Sequence, residues 1–128
     1  MNNPELRIQH DCFLLLQKCG IMAHSVPNEA GGRSRIEQTQ LVSAGLVSGV
    51  ADMIVWWPHH SLIERGFIPT HKQQSYPVTI GYVEFKTATG RQSDRQKAFQ
   101  ELCATHGVEY ALVRSIQDME ELIRLHLH

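Results

Sequence analysis

The 128 residues are 42% hydrophobic and 20% charged, a balance that suits a soluble globular protein long enough to bury its own core, so the chain reads as one domain over residues 1–128. No apolar run approaches the roughly 20 residues of a membrane span, and the N-terminal MNNPELRIQHD lacks the basic and apolar regions of a signal peptide; a cytoplasmic protein is expected. The net charge of −1 decides nothing about nucleic acid, because a local basic patch is what counts.

Pro4 suits the first turn of a helix, and LRIQHDCFLLLQKCG repeats apolar residues at helical spacing up to Gly20, a C-terminal stop. Three cysteines without metal-knuckle spacing argue against a disulfide framework. Cys12 and Cys19 fall on the helical pattern, and buried thiols are expected there. Glu5 and Gln9, four apart, share a face. On residue type alone, Glu5 is a first-turn carboxylate favoured by the helix dipole. Ile21 to Val26 reads as a short strand closed by Pro27-Asn28. After the basic turn GGRS, Ser34 and Glu37 form a capping-box pattern that opens a helix ended by Gly45.

Val50 to Trp57 reads as a nearly continuous apolar strand containing one acid, Asp52. An aspartate inside a buried strand is costly unless paired, hydrogen-bonded or metal-bound. Its place near the strand's start leaves open a second reading, a turn-facing side chain that accepts backbone hydrogen bonds. From Pro58 to Pro77 no periodicity is sustained, and a connection this long is uncommon in a compact domain. His59 and His60 read as loop histidines, since adjacent histidines do not easily serve one tetrahedral zinc.

Thr79 to Thr87 is the next strand, within GYVEFKTATGRQSDRQ. Side chains alternate along it, so Glu84 and Lys86 point one way while Val83 and Phe85 point the other. Either Glu84 and Lys86 form a chance ion pair on a solvated strand face, or they belong to a metal-dependent hydrolytic site; the spacing does not choose. Ser93-Asp94-Arg95-Gln96 is a second capping box, opening a helix that runs to about His106 and stops at Gly107. Glu109 to Val113 is a last strand. Ser115 caps a C-terminal amphipathic helix whose buried face is Ile116, Met119, Leu122 and Ile123. The terminal LHLH reads as a frayed end. A mixed sheet with helices on its faces is the economical packing for this order of elements.

Asp52, Glu84 and Lys86 sit on successive strands, and pairing of those strands would bring two carboxylates and a lysine together. Mg²⁺ takes one or two carboxylates and fills its other positions with water and phosphate. A cation so held lowers the pKa of a bound water and neutralises charge growing on a phosphodiester.

The segments GLVSGVADMIVWW, GYVEFKTATGRQSDRQKAF and HGVEYALV, in that order, resemble the PD-(D/E)XK nuclease superfamily and within it the VRR-NUC branch (virus-type replication-repair nucleases), in its stand-alone, phage-like form. Ala51 stands where the superfamily's name puts proline, a residue without chemistry of its own. The resemblance implies a restriction-endonuclease-like α/β fold with an αβββαβ core, a mixed sheet flanked by helices. It also implies Mg²⁺- or Mn²⁺-dependent hydrolysis of phosphodiester bonds. Asp52 and Glu84 would be the central metal ligands, joined by the Phe85 carbonyl and supported by Glu5 from the first helix. Lys86 would be the catalytic lysine, and Gln96 would reach the active site or substrate from its helix start. Phage-like members resemble structure-specific endonucleases that act as homodimers on branched DNA such as four-way (Holliday) junctions or flaps, which places this chain in a bacterial or phage-infected cell. Phosphate contacts are expected from Arg33, Arg35, Arg91 and Lys97, with Asn28 and Glu29 near the substrate. Trp56, Trp57 and the 58–78 connection are candidate interface material. The alternative is a non-catalytic DNA-binding or assembly module that keeps the fold; the intact acid-acid-lysine set weighs against it.

Overall fold

The computed structural model of the protein describes residues 3–26, 35–43, 45, 47–58 and 78–127. Helix α1 (Pro4–Lys18) starts where Asn3 Oδ1 accepts the N–H groups of Glu5 and Leu6 at 3.0 and 3.2 Å, a cap that satisfies two otherwise unpaired donors. It stops at Gly20, whose φ of 72° reverses the chain into strand β1 (Met22–Ser25). Helix α2 (Arg35–Ser43) follows. Strands β2 (Met53–Pro58) and β3 (Val78–Phe85) form the middle of the sheet. Helix α3 (Asp94–Thr105) opens on the full capping box: Ser93 Oγ accepts the Gln96 N–H at 3.1 Å, and Gln96 Oε1 accepts the Ser93 N–H at 2.8 Å. Strand β4 (Glu109–Val113) and helix α4 (Ile116–Leu127), capped by Ser115, complete the order.

Among the described residues the sheet runs β1-β2-β3-β4. The first two pairings are antiparallel and the β3–β4 pairing is parallel. This is the mixed sheet of a restriction-endonuclease-like α/β fold, in the expected αβββαβ order with α2 inserted after β1. Strand alternation sorts the side chains onto two faces. Met53, Val55, Trp57, Val83, Phe85 and Val113 face one way and are buried against Cys12 and Leu16 of α1 and Met119 and Ile123 of α4. On the other face α3 lays Phe99 edge-on against Tyr82, ring centroids 5.0 Å apart. No helix among the described residues is long and apolar enough to cross a membrane.

Four expectations change. The strand expected over Val50–Trp57 begins only at Met53, because Gly49 (φ 76°) and the bend at Asp52 carry the chain into it. The strand expected over Thr79–Thr87 ends at Phe85, so Lys86 lies just beyond it. Cys12 and Cys103 are buried, but Cys19 is the exposed C-cap of α1. The LHLH end is helical through Leu127 rather than frayed. His126 stacks on Trp57 with centroids 4.0 Å apart, and its ring nitrogens meet the Leu122 carbonyl and the Glu109 carboxylate. The readings for Asn28, Glu29, Arg33, the Ser34 cap, His59, His60 and nearly all of the 58–78 connection lie outside the described residues.

Candidate active site

The site begins with the β2–β3 register. Met53 pairs with Val83, and one further step along this antiparallel ladder sets Asp52 across from Glu84. Asp52 occupies the bend before β2, where its Oδ2 accepts the Phe85 N–H at 2.7 Å and its carbonyl accepts the Val26 N–H at 2.8 Å. The turn-facing reading of Asp52 is the one observed: from the bend before β2 its carboxylate accepts a backbone hydrogen bond.

Glu84 is 0% exposed. That excludes the solvated-face reading of the Glu84–Lys86 pair. Its neighbours Val83 and Phe85 are locked into the main core, which fixes where the carboxylate sits. Oε1 accepts the Tyr110 hydroxyl at 2.7 Å, whereas Oε2 is buried without a hydrogen-bond partner among the described residues. Burial pushes the Glu84 carboxyl above its ordinary pKa; Asp52 adds to that, and Tyr110, Lys86 and Gln92 oppose it. Tyr110 is pushed well above the usual phenol range, first by burial and then by Glu84.

Lys86 follows directly, its backbone N–H bonded to the Val113 carbonyl at 3.0 Å. Its side chain is 12% exposed, and Nζ lies 4.0 Å from Glu5 Oε1 at the start of α1. Among the described residues the ion pair of Lys86 is therefore with Glu5, on another element, and not with Glu84. Glu5 also lies against the turn after β3: a Cβ on Gly90 would sit 3.5 Å from its Oε1.

Among the described residues no group of three or more His, Cys, Asp or Glu side chains is gathered tightly enough to hold a metal. Asp52 and Glu84 come together, and Glu5 stands with Lys86. Two carboxylates nevertheless suit Mg²⁺ or Mn²⁺, which draw their remaining ligands from water and substrate. The bare, buried Oε2 of Glu84 is the acceptor such an ion would satisfy.

Gln96 is committed through its amide oxygen to the α3 cap. Its helix start is nonetheless held against the Asp52 turn, since a Cβ on Gly49 would lie 2.4 Å from the Arg95 carbonyl and 2.8 Å from the Gln96 nitrogen. Arg35, Arg91 and Lys97 are exposed. Arg95 reaches back to Ser48 Oγ at 3.4 Å.

Three residues had no assigned role in the sequence reading. Tyr110 holds Glu84 from the α3 face, and Gln92 holds the Tyr110 hydroxyl. Arg114 donates from Nη1 to the carbonyls of Thr87 and Gly90 at 2.6 and 2.7 Å, and so fixes the turn that begins at Lys86. The only sequence signal for Tyr110 was a polar tip in an apolar strand. Its partner is set by the β3–β4 register, which local pattern does not encode.

The mixed sheet, with an acid pair and a lysine at the adjoining ends of its central strands, defines a restriction-endonuclease-like α/β protein. The VRR-NUC domain matches residues 22–117, and the chain belongs to the VRR-NUC family. Family membership carries a nuclease-type, DNA-processing function. The matched span covers Asp52, Glu84, Lys86, Gln96 and Tyr110 and leaves Glu5 outside it. No curated protein and no solved structure matches the chain.

Proposed function

We propose that the protein is a single-domain, Mg²⁺- or Mn²⁺-dependent, structure-specific DNA endonuclease that hydrolyses phosphodiester bonds in branched DNA such as four-way junctions or flaps. The observation that carries this reading is the fully buried Glu84, placed across from Asp52, with one carboxylate oxygen left bare. A buried acceptor of this kind costs stability unless something satisfies it. Asp52 and Glu84 would hold the ion, with the Phe85 carbonyl beside them and Glu5 in support. A bound divalent ion supplies an acidified water and neutralises phosphodiester charge.

The chain's own groups do the rest. Asp52 is oriented by the Phe85 N–H, so its carboxylate is fixed before any ligand arrives. Lys86 keeps its ammonium at the edge of solvent, where it can orient an attacking water or hold a phosphate oxygen. Glu5 neutralises that ammonium in the free protein and would release it when a phosphate competes. Gln96 acts from the α3 start. Arg33, Arg35, Arg91 and Lys97 would grip phosphates without reading sequence. Paired incision of a junction needs two active sites, which a homodimer supplies, and the setting would be the cytoplasm of a bacterial or phage-infected cell.

The test is a labelled panel of duplex, single strand, flap, fork and four-way junction, incubated with Mg²⁺ or Mn²⁺. Glu84→Ala and Lys86→Ala run beside the wild type. Branched substrates are expected to be cut by the wild type alone, with paired symmetric cuts in the junction. Salt-sensitive binding to the junction without cutting in either metal would instead favour a non-catalytic DNA-binding or assembly module.

A further inference from the structure

Glu84 is reached by a chain of polar groups from three places in the fold. The Tyr110 hydroxyl on β4 lies 2.7 Å from Oε1. Gln92, just before α3, places Nε2 3.2 Å from the Tyr110 oxygen and 3.0 Å from Oε1 of Gln100 on α3. Counting hydrogens gives this chain one direction. Ionised, as a metal ligand must be, Glu84 has none to give, so the single hydroxyl hydrogen of Tyr110 goes to it. The Tyr110 oxygen must then accept, which turns the amide nitrogen of Gln92 toward it. The second hydrogen of that amide goes to the Gln100 carbonyl oxygen. All three donated hydrogens have an acceptor, and the chain ends on Oε1.

Oε2 receives nothing among the described residues. The two oxygens of one carboxylate are therefore unlike: one is engaged by an oriented phenol, the other is bare. The ring of Tyr110 cannot easily withdraw, because Phe99 packs against it with centroids 6.2 Å apart and its strand is in register with β3 through the Tyr82–Tyr110 and Glu84–Leu112 pairs.

We propose that Tyr110, oriented by Gln92 and Gln100, is a positioning residue that occupies Oε1 of Glu84 and so presents Oε2 alone to a divalent cation. This rests on the reading of Glu84 as a metal ligand given above. A carboxylate restricted to one oxygen suits the compact octahedral shell of Mg²⁺ or Mn²⁺. A carboxylate free to offer both oxygens suits the larger, looser shell of Ca²⁺. Tyr110 thereby contributes both to affinity and to the choice of ion.

The experiment is titration of the whole 128-residue chain, metal-free, with Mn²⁺ and separately with Ca²⁺ by calorimetry, using wild type, Tyr110→Phe, Gln92→Leu, the double variant and Glu84→Gln. Melting temperatures are read alongside. Tyr110→Phe is expected to weaken Mn²⁺ binding about 10- to 100-fold, the usual effect of removing a partner that orients a ligand, and to weaken Ca²⁺ binding much less. Gln92→Leu is expected to weaken Mn²⁺ binding several-fold, and the double variant to match Tyr110→Phe, because Gln92 acts through the hydroxyl. A merely structural role would lower the melting temperature without changing the Mn²⁺-to-Ca²⁺ ratio. If Tyr110→Phe binds both ions as the wild type does while Glu84→Gln has lost them, the positioning role is wrong and the metal reading stands. If the wild type binds neither ion, both fall. Should Tyr110→Phe not fold, Gln92→Leu decides: unchanged Mn²⁺ affinity overturns the proposal.

Discussion

Replacing Glu84 by glutamine is expected to make the metal-free protein more stable while abolishing its chemistry. The side chain is 0% exposed, and its Oε2 has no partner among the described residues. Leaving a buried acceptor unsatisfied costs about 1–3 kcal/mol, and more when it is charged. The Tyr110 bond to Oε1 offsets part of this and weakens when the charge is removed, so a net gain of about 1–2 kcal/mol is expected for Glu84→Gln. For a chain of this size that corresponds to a melting temperature higher by about 3–8 °C. The effect has a pH signature with a fixed sign. Burial raises the folded-state pKa of Glu84 above its ordinary value of 4.5. Below that ordinary value both folded and unfolded chains carry the proton, glutamine mimics the protonated acid, and the two proteins melt alike. As pH rises above it the unfolded chain ionises first, the wild type loses stability, and the gap widens until the folded-state value is passed. The assay is thermal or urea unfolding of both proteins in EDTA from about pH 4 to about pH 8. Added Mn²⁺ should then raise the melting temperature of the wild type alone. A Glu84→Gln protein less stable than wild type at the upper pH, or a difference that does not change with pH, would refute the reasoning.

Gly49→Ala is expected to cost about 3 kcal/mol or more. It combines a left-handed backbone penalty of about 1–2 kcal/mol with a Cβ placed 2.4 Å from the Arg95 carbonyl, and urea midpoints measure it. Arg114→Ala removes both bonds to the Thr87 and Gly90 carbonyls and should cost about 2–3 kcal/mol. Cleavage should fall more than DNA affinity, because the turn it fixes starts at Lys86; single-turnover kinetics and a binding assay separate the two. In thiol labelling at mildly alkaline pH, the exposed Cys19 should react and Cys12 and Cys103 should stay silent until unfolding. The Cys12 thiol is pushed up to about 12, chiefly by burial with Asp11 and Asp118 adding. The unfolded chain therefore loses that proton first, and stability should fall as pH climbs above about 9.

Local chemistry made much of this fold legible. The Ser93–Gln96 capping box and the glycine stops at Gly20 and Gly107 mark helix ends, because the groups that satisfy those ends lie within a few residues. The alternation around Glu84 set Val83 and Phe85 on the opposite face, which is the core face, and the interruption at Asp52 singled that residue out. What local pattern could not supply was register. That Asp52 stands across from Glu84, and that Tyr110 reaches Glu84 from a parallel neighbour, depends on which strands pair and with what offset. The same limit explains the C-terminus. LHLH looks frayed until α4 is docked, and only then does His126 find Trp57 and Glu109. Cys19 shows the reverse error: its helical spacing continues the pattern, but the helix has already turned outward at its cap.

The sheet also explains how a bare buried carboxylate survives. On one face of β3, Val83 and Phe85 are enclosed by α1 and α4 together with the largest fully buried apolar side chains among the described residues. Burying side chains of that size stabilises by about 1.5–3 kcal/mol each, so β3 cannot shift to bring Glu84 into water without opening the main core. The polar groups of the site lie between and beyond those anchors: Glu84 between them, Asp52 across the ladder, and Lys86 in the turn held by Arg114. Solvent would satisfy Glu84 more cheaply than this arrangement does. The folded chain accepts a local cost at Oε2 because packing on the opposite face exceeds it, and the outcome is an acceptor held ready before a ligand arrives. On the proposed function that is the preorganisation a phosphodiester-cleaving site requires, and it is why stability and activity are expected to move in opposite directions when Glu84 is made neutral.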